Sequence, residues 1–389
     1  MPGGPQPLKV GIAGVGWRAS AFATALAADA RVRLVAVQDP VREARDRFAA
    51  AHGVEIACSS FGELVEHVDL VILVTPLPYH APQACHALAH DVHVLSEVPA
   101  VISHEQAQEL LAAVRSSKAR YGLAENYCYM TRHLIARELV RAGELGELYY
   151  GESDHLADFK SHVRNADGTP HWTYHWWMGR DGNTYPTHSL GPLLQLFEDR
   201  VTAVSCVGSG HHEAPEHELQ DTTVLLARTV KGALLRVRFS WLSSRPMQSA
   251  YGVQGTRGAL ELGDPLRGVQ PAIYLEGRTP RDTWEPLEPF ASRLPERYAQ
   301  GASGPLYAEE DAFEALFGSA DAWLVRDFVD AIGDDRAFDL DIYAALDMTL
   351  PGLAAEVSAA QNGDWIHVPN PRLLSAGIGV DAGREFPLA

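Results

Sequence analysis

The 389 residues, 46% hydrophobic and 21% charged, suffice for two packed domains and have the composition of a globular protein. A formal charge of −18 offers no basic face to a phosphate backbone and excludes a nucleic-acid partner. No apolar run reaches the length of a membrane span, so no membrane association is expected. The four cysteines (Cys58, Cys85, Cys128, Cys206) lack a Cys-x-x-Cys pair, which fits a reducing cytoplasm and argues against a disulfide framework or thiolate zinc site.

The opening, Met1 to Pro7, is rich in Pro and Gly, lacks the apolar core of a signal peptide and is expected to be a frayed tail. Four apolar runs follow, KVGIAGV, RLVAVQD, DLVILVTP and HVLSEVP. Their near-continuous Val, Ile and Leu predict strands buried on both faces, as in a parallel sheet. Helices are predicted at Ala19 to Ala28, Val41 to His52, Pro82 to His90 and Ser103 to Ser117. The last opens with Ser103 and Gln106 at capping-box spacing. Alternating strands and helices predict an α/β fold beginning with a doubly wound parallel sheet, over residues 1–127.

Residues 128–389 read differently. A helix near Arg132 to Ala142 precedes strand-like runs at Leu148 to Asp154, Val201 to Gly208, Thr222 to Val230, Ala233 to Trp241 and Ala250 to Gln254. Thr229 to Gly232 has hairpin-turn character. These predict an α+β domain with a large open, mostly antiparallel sheet, completed by helices at Ala320 to Ile332 and Ile342 to Asn362. An open sheet face commonly covers itself against a second copy, so a homo-oligomer is expected. The Gly-rich stretch from Leu373 is expected to be a loose or docking tail.

The first chemistry-bearing motif follows the first strand. Gly14-Val15-Gly16-Trp17-Arg18-Ala19 has G-x-G-x-x-A spacing: Gly14 for the tight turn, Gly16 for close approach of a pyrophosphate, Ala19 for helix–strand packing. The N–H groups opening that helix face the phosphates, which places Trp17 and Arg18 among the cofactor contacts. Asp39 ends the second strand some twenty residues on, where a carboxylate binds ribose hydroxyls and repels a 2′-phosphate. The expected cofactor is therefore NAD, with NADP the alternative that Arg42 nearby leaves open.

With these residues the chain resembles the glucose–fructose oxidoreductase / inositol dehydrogenase (Gfo/Idh/MocA) family along nearly all its length. Thr75-Pro76 followed by His80 matches that family's loop after the fourth strand, and Glu97-Val98-Pro99 stands where the family has Glu-Lys-Pro. The resemblance implies that the missing lysine holds the reacting hydroxyl in the dehydrogenases, a role Val98 cannot fill. The family's Asp-x-x-x-His is absent too, and Tyr185-Pro186-Thr187-His188-Ser189-Leu190-Gly191-Pro192 stands there instead. That segment, with Glu97-Val98-Pro99-Ala100 and Glu125-Asn126 followed by Tyr129, resembles the NAD-dependent glycosidases of glycoside hydrolase family 109. The resemblance implies hydrolysis of a glycoside through transient oxidation at sugar C3, loss of the C2 proton, elimination from C1, water addition and re-reduction.

On that reading His188 is the base for the C3 hydroxyl, since histidine titrates near neutrality. Tyr129 is either the base at C2 or a core aromatic whose hydroxyl bonds locally, and Tyr185 either binds a sugar hydroxyl or packs. Glu97 and Asn126, at the carboxyl edge of the sheet, are expected to hold the nicotinamide ribose or amide, with Thr75 and His80 beside them. Trp172 and Trp176, in an aromatic-rich stretch, offer stacking platforms for a sugar. Asp154, His155, Asp158 and Lys160 either line the pocket or face water. His211-His212 suggests no metal, because neighbouring loop histidines rarely converge on one ion. A sugar dehydrogenase forming 3-keto sugars and a catalytically idle nucleotide-binding sensor are the alternatives, weakened by Val98 and by the intact His188 motif respectively.

Overall fold

A computed structural model describes residues 6–162, 182–213, 219–299 and 312–374, together with 164, 167–169, 171, 173 and 180. The predicted tails at either end, and both Trp172 and Trp176, lie outside the described residues.

The apolar runs form the strands β1 (Leu8–Ala13), β2 (Val32–Gln38), β4 (Leu70–Leu73) and β5 (His93–Ser96). Two three-residue strands absent from the sequence reading, β3 (Ile56–Cys58) and β6 (Tyr121–Leu123), complete an all-parallel sheet in the order β3-β2-β1-β4-β5-β6. They are too short to carry a periodicity signal. Strand order reverses between β1 and β4, and ligands bind beyond the carboxyl ends of the strands at such a switch point.

The intervening helices are α1 (Trp17–Ala27), α2 (Arg42–His52), α3 (Phe61–Val65), α4 (His80–Ala89) and α5 (His104–Ser116). Ser103 caps α5 by accepting from the Gln106 N–H at 3.2 Å. The return arm of the box reaches one residue further back, Gln106 Oε1 accepting from the Ile102 N–H at 3.0 Å.

After α6 (Thr131–Arg141) comes β7 (Leu148–Leu156), then α7 (Thr187–Phe197), the meander β8 (Val201–Gly208), β9 (Thr223–Thr229), β10 (Leu234–Ser240), and β11 (Gln248–Gly255), which pairs on the far side of β7. Four short strands, β12 (Gly258–Glu261), β13 (Ala272–Leu275), β14 (Glu285–Pro286) and β15 (Ile366–His367), widen the sheet to nine, in the order β14-β13-β12-β11-β7-β10-β9-β8-β15. Every pairing is antiparallel except β7 with β10 at its centre. Burial alternates along β9 and β10, so one face is covered. The other face carries a ladder in which Arg236 bridges Glu152 (2.9 Å) and Asp154 (3.2 Å), and Arg238 meets Asp154 (2.5 Å).

Two long helices return across the molecule. α8 (Ala312–Gly333) begins earlier than predicted and packs on α1 and on the turn Asn126–Tyr129. α9 (Ile342–Ala360) packs on β8 and approaches the first sheet, where the Leu123 N–H donates to the Leu340 carbonyl at 2.9 Å. The buried apolar residues of both sheets consequently form one cluster, from Val10 and Ile72 through Trp323 to Leu235. Among the described residues no helix is long and apolar enough to cross a membrane.

Candidate functional site

Gly14 and Gly16 build the entrance of the site in different ways. Gly14 has φ +84°, and a Cβ there would stand 2.7 Å from the Val74 carbonyl oxygen, so only glycine fits the turn from β1 into α1 where it passes the end of β4. A Cβ on Gly16 would meet nothing within 4 Å, because that position opens into a cavity. Gly16 is the N-cap of α1, and no side chain caps that helix end. Uncapped amides beside open space suit a pyrophosphate. Asp39 stands just past β2, its carboxylate fixed by the N–H groups of Val15 (3.1 Å) and Val41 (2.9 Å). These features fit a dinucleotide.

From Gly16, Trp17 and Arg18 the cavity, about 340 Å³, runs past Thr75, His80, Glu97 and Val98 to Asn126, Tyr127, Tyr185 and His188. Its volume is that of a small-molecule site. A larger open cleft of about 550 Å³ lies between the end of α7 and α9, but its charges already pair with one another, Arg141 with Glu198 and Arg372 with Asp347. It lies away from the Gly-rich turn and the histidine motif.

The expected cofactor residues surround the cavity in unequal roles. Trp17 is 62% exposed at the mouth, with the Arg18 guanidinium 5.4 Å from its ring centre. Arg18 turns inward: Nε donates to Glu97 at 2.6 Å and its two terminal nitrogens donate to both oxygens of Asp321 at 2.7 and 2.9 Å. Asn126 donates to the same Asp321 at 3.1 Å. Arg18, Glu97 and Asn126 thus form one polar knot that backs the cavity. Thr75 donates its hydroxyl to Gln83 at 2.6 Å. His80 lines the cavity as the first residue of α4, but its ring nitrogens lie 2.7 Å from the Thr75 carbonyl and 2.9 Å from the Pro99 carbonyl. It ties two loops together rather than aiming at a ligand. The Val98–Pro99 peptide bond between them is cis.

At the opposite end His188, on the first turn of α7, has Nδ1 2.8 and 3.0 Å from the two oxygens of Glu125. Glu125 is fully buried and also accepts the Tyr127 N–H at 3.2 Å. Gly191 makes this approach possible, since a Cβ there would press on the Glu125 side chain at 3.0 Å. The Tyr251 hydroxyl donates to the His188 carbonyl and fixes the backbone beneath the ring. The Tyr127 ring stacks on the His188 imidazole at 4.3 Å.

The structure corrects one assignment outright. Tyr129 does not line the cavity: it is 2% exposed and its hydroxyl donates to Asp327 at 3.2 Å, in a cluster with Tyr298. Burial and the Asp327 charge push its phenol well above the usual range, so it is no base at C2. The capping turn Asn126–Tyr129 presents Tyr127, two residues earlier, to the cavity instead. Tyr185 does line the cavity, donating to the Val98 carbonyl at 3.3 Å, and burial raises its phenol well above 10. It enters as a hydrogen-bond donor.

Other wall residues went unassigned. His155 of β7 is 1% exposed and packs edge-on to Trp241 at 5.6 Å and 5.4 Å from the His188 ring. Burial, reinforced by His188, pushes its imidazole down to about 3. Its signal was strand alternation, which sets it on the covered face with Ser153 and Gly151. Trp241, Phe239, Ala157 and Phe159 form a separate apolar cluster on that wall, which Tyr185 and Met247 join. Asp321 could have been suspected as an acid on the apolar stripe of Leu324, Val325 and Phe328. Asp154 and Asp158 face away, and Lys160 reaches Glu213 at 3.2 Å. His211 and His212 turn their rings to the Leu219 and Ser209 carbonyls.

Residues 8–125 match the profile of the oxidoreductase family with NAD-binding Rossmann fold, and residues 129–371 that of the glycosyl hydrolase 109 C-terminal domain. A glycosyl hydrolase family 109 protein of Solibacter usitatus is 25% identical, the match covering 91% of this chain and 85% of that protein. An α-N-acetylgalactosaminidase of Shewanella oneidensis is 24% identical over 86% of this chain and 76% of its own. Levoglucosan dehydrogenase, solved with NADH, superposes with a TM-score of 0.77 at 19% identity, covering 94% of this chain and all of that one, a likeness of fold. The N-terminal domain is an NAD site, and NAD is the cofactor.

The two glycines predict separable effects. Gly14→Ala should lower folding stability by about 1–3 kcal/mol, read as a fall in the denaturant midpoint. Gly16→Ala should leave that midpoint in place yet weaken NAD binding by at least about tenfold in calorimetric titration. His155 gives a pH signature. An imidazole harder to protonate in the folded than in the unfolded state costs stability as pH falls from the unfolded value near 6.5 towards about 3. The wild type should therefore lose roughly 3 kcal/mol more than His155→Phe between pH 7 and pH 4, measured by urea unfolding at each pH.

Proposed function

The chain belongs to the glycosyl hydrolase 109 family, within the Gfo/Idh/MocA oxidoreductases, and from that premise we propose that it is an NAD-dependent glycosidase working by transient oxidation of the sugar. The observation that carries this reading is the Glu125–His188 pair at the far end of a cavity that begins at the Gly-rich turn, with Val98 where a dehydrogenase of this fold has lysine.

The residues divide the work. Gly16 and the start of α1 would hold the pyrophosphate and Asp39 the adenosine ribose, with Asn126 and Glu97 forming the wall beside the nicotinamide end. Bound there, NAD would supply the two-electron acceptor that a transient sugar oxidation needs. Glu125 has only acceptors to offer as a carboxylate, so the proton of His188 resides on Nδ1 and Nε2 keeps its lone pair for the C3 hydroxyl. As His188 takes that proton, Glu125 stabilises the imidazolium at no cost in reorganisation. Tyr185, protonated and hydrogen-bonded at Val98, holds a sugar oxygen in register. The Trp241 and Phe159 rings form an apolar wall suited to a sugar C–H face and keep bulk water from the reacting carbons. Val98, 2% exposed, contributes no charge there. Once C3 is a ketone the C2 proton is acidic: a base takes it as the C1–O bond breaks and the departing oxygen takes up a proton, and water then adds across the C1–C2 double bond, its hydroxyl to C1 and a proton back to C2.

With a nitrophenyl glycoside, nitrophenol should accumulate far beyond the enzyme concentration while net NADH stays near zero; NADH rising in step with substrate loss would make the protein a sugar dehydrogenase instead. In deuterated water the released sugar should carry deuterium at C2, which direct displacement by two carboxylates would leave unlabelled. His188→Ala should lose both bound-NADH formation and hydrolysis, by about 10²–10⁴-fold. Glu125→Gln should lower kcat on the order of 10²-fold with little change in KM, because it spoils the orientation and charge of the base rather than binding. Tyr129→Phe should exchange label at the wild-type rate, because its hydroxyl is turned to Asp327 and away from the cavity.

A further inference from the structure

Buried charge around the cavity is unbalanced. Arg18 is the single Lys or Arg among its described lining residues, and it already faces two carboxylates, Glu97 at 2.6 Å and Asp321 at 2.7 Å. Glu125, fully buried against His188, is a third. One positive and three negative charges leave two negative charges in excess. No other described side chain offsets them from close by. Arg132, buried behind Tyr127, donates to the Ser249 carbonyl and has Asp264 beside it, and Lys160 is turned to Glu213 and Ser244. The position after Glu97, lysine in the related dehydrogenases, is the apolar Val98.

A nicotinamide ring is cationic when oxidised and neutral when reduced. Excess negative charge in a site that excludes water stabilises the cation selectively, since Coulomb interactions strengthen as the local dielectric falls. We propose that Glu97, Asp321 and Glu125 bias this site towards the oxidised dinucleotide, so that the protein rests with NAD⁺ bound and the reduced form, made only with a sugar ketone beside it, is driven to give its electrons back. Asp321 and Glu125 act from behind the wall as positioning residues, through Arg18 and Asn126 in one case and His188 in the other. The inference rests on the closed cycle proposed above, and supplies the reason why reduced cofactor does not accumulate.

Competition measures the bias directly. The full-length protein is equilibrated with a known mixture of NAD⁺ and NADH, and the dinucleotide retained through rapid gel filtration is analysed. Both forms occupy one site, so a general loosening of binding cancels in their ratio. The wild type should retain NAD⁺ in excess of the mixture. Asp321→Asn and Glu97→Gln should each lower the NAD⁺ to NADH ratio by about tenfold, equivalent to raising the bound potential by about 30 mV for a two-electron couple. Arg18→Gln, which removes the cation, should raise the ratio or leave it unchanged. A wild type that prefers NADH, neutral variants that leave the ratio alone, or all three variants moving it downward would overturn the proposal. A ratio that behaves as described in a protein that hydrolyses no glycoside supports the charge bias and removes only the glycosidase reading.

Discussion

One guanidinium joins the parts of this protein that must stay in register. Arg18 stands at the start of the cofactor helix, Glu97 at the end of β5 and Asp321 on the returning helix α8, with Asn126 bonded to the same aspartate. Burial opposes the Arg18 charge, but the two carboxylates outweigh it and hold the group more firmly protonated than in water. A planar fork can serve one carboxylate through Nε and grip another with both terminal nitrogens, which an ammonium cannot do in fixed geometry. Removing one partner would leave a buried charge uncompensated, at a cost far above that of a surface pair. The Gly-rich turn, the carboxyl edge of the sheet and the second domain are therefore held in one arrangement at the site where they must cooperate.

The catalytic end follows the same logic on a smaller scale. Glu125 and His188 come from different domains, and the contact between them depends on an absence: Gly191 leaves room for the carboxylate beneath α7. The carboxylate fixes the tautomer of the imidazole, which on the proposed reading leaves the pair no need to move when His188 takes a proton. Around it the walls are chemically quiet. Val98, Trp241, Phe159 and Met247 offer no titrating group, and Tyr185 stays protonated. His155 is held neutral by burial, so the imidazole beside His188 adds no cation. The result, among the described residues, is a site whose buried charge is negative and in which His188 is the imidazole held by a carboxylate.

Much of this was legible in the residues. Buried parallel strands announce themselves as continuous Val, Ile and Leu runs, and the turn Gly14 to Ala19 with Asp39 specifies a dinucleotide because backbone approach and ribose recognition each demand one residue type at one spacing. The segment Tyr185 to Pro192 pointed to His188 through its resemblance to a family motif, not through any spacing that chemistry demands. Strands of two to four residues, β3, β6 and β12 to β15, escaped notice, since a pattern of period two needs more positions than they offer.

What the chain order cannot express is which side chains meet. Tyr129 and Tyr127 are separated by two positions in one tight turn, and only the packing of α8 decides that the first faces Asp327 while the second faces the cavity. Arg18 read as a cofactor contact through the N–H groups that open its helix, and the commitment of its side chain to Glu97 and Asp321 requires a helix that returns some three hundred residues later. His80 read as a cofactor contact, and its two carbonyl partners lie on loops that only the folded sheet brings together. Local sequence determined backbone geometry and the identity of the cofactor, because those follow from the residue at a position. Tertiary structure decided the partners of each ionisable group, because charge and hydrogen bonding in a buried site depend on neighbours that are close in space alone.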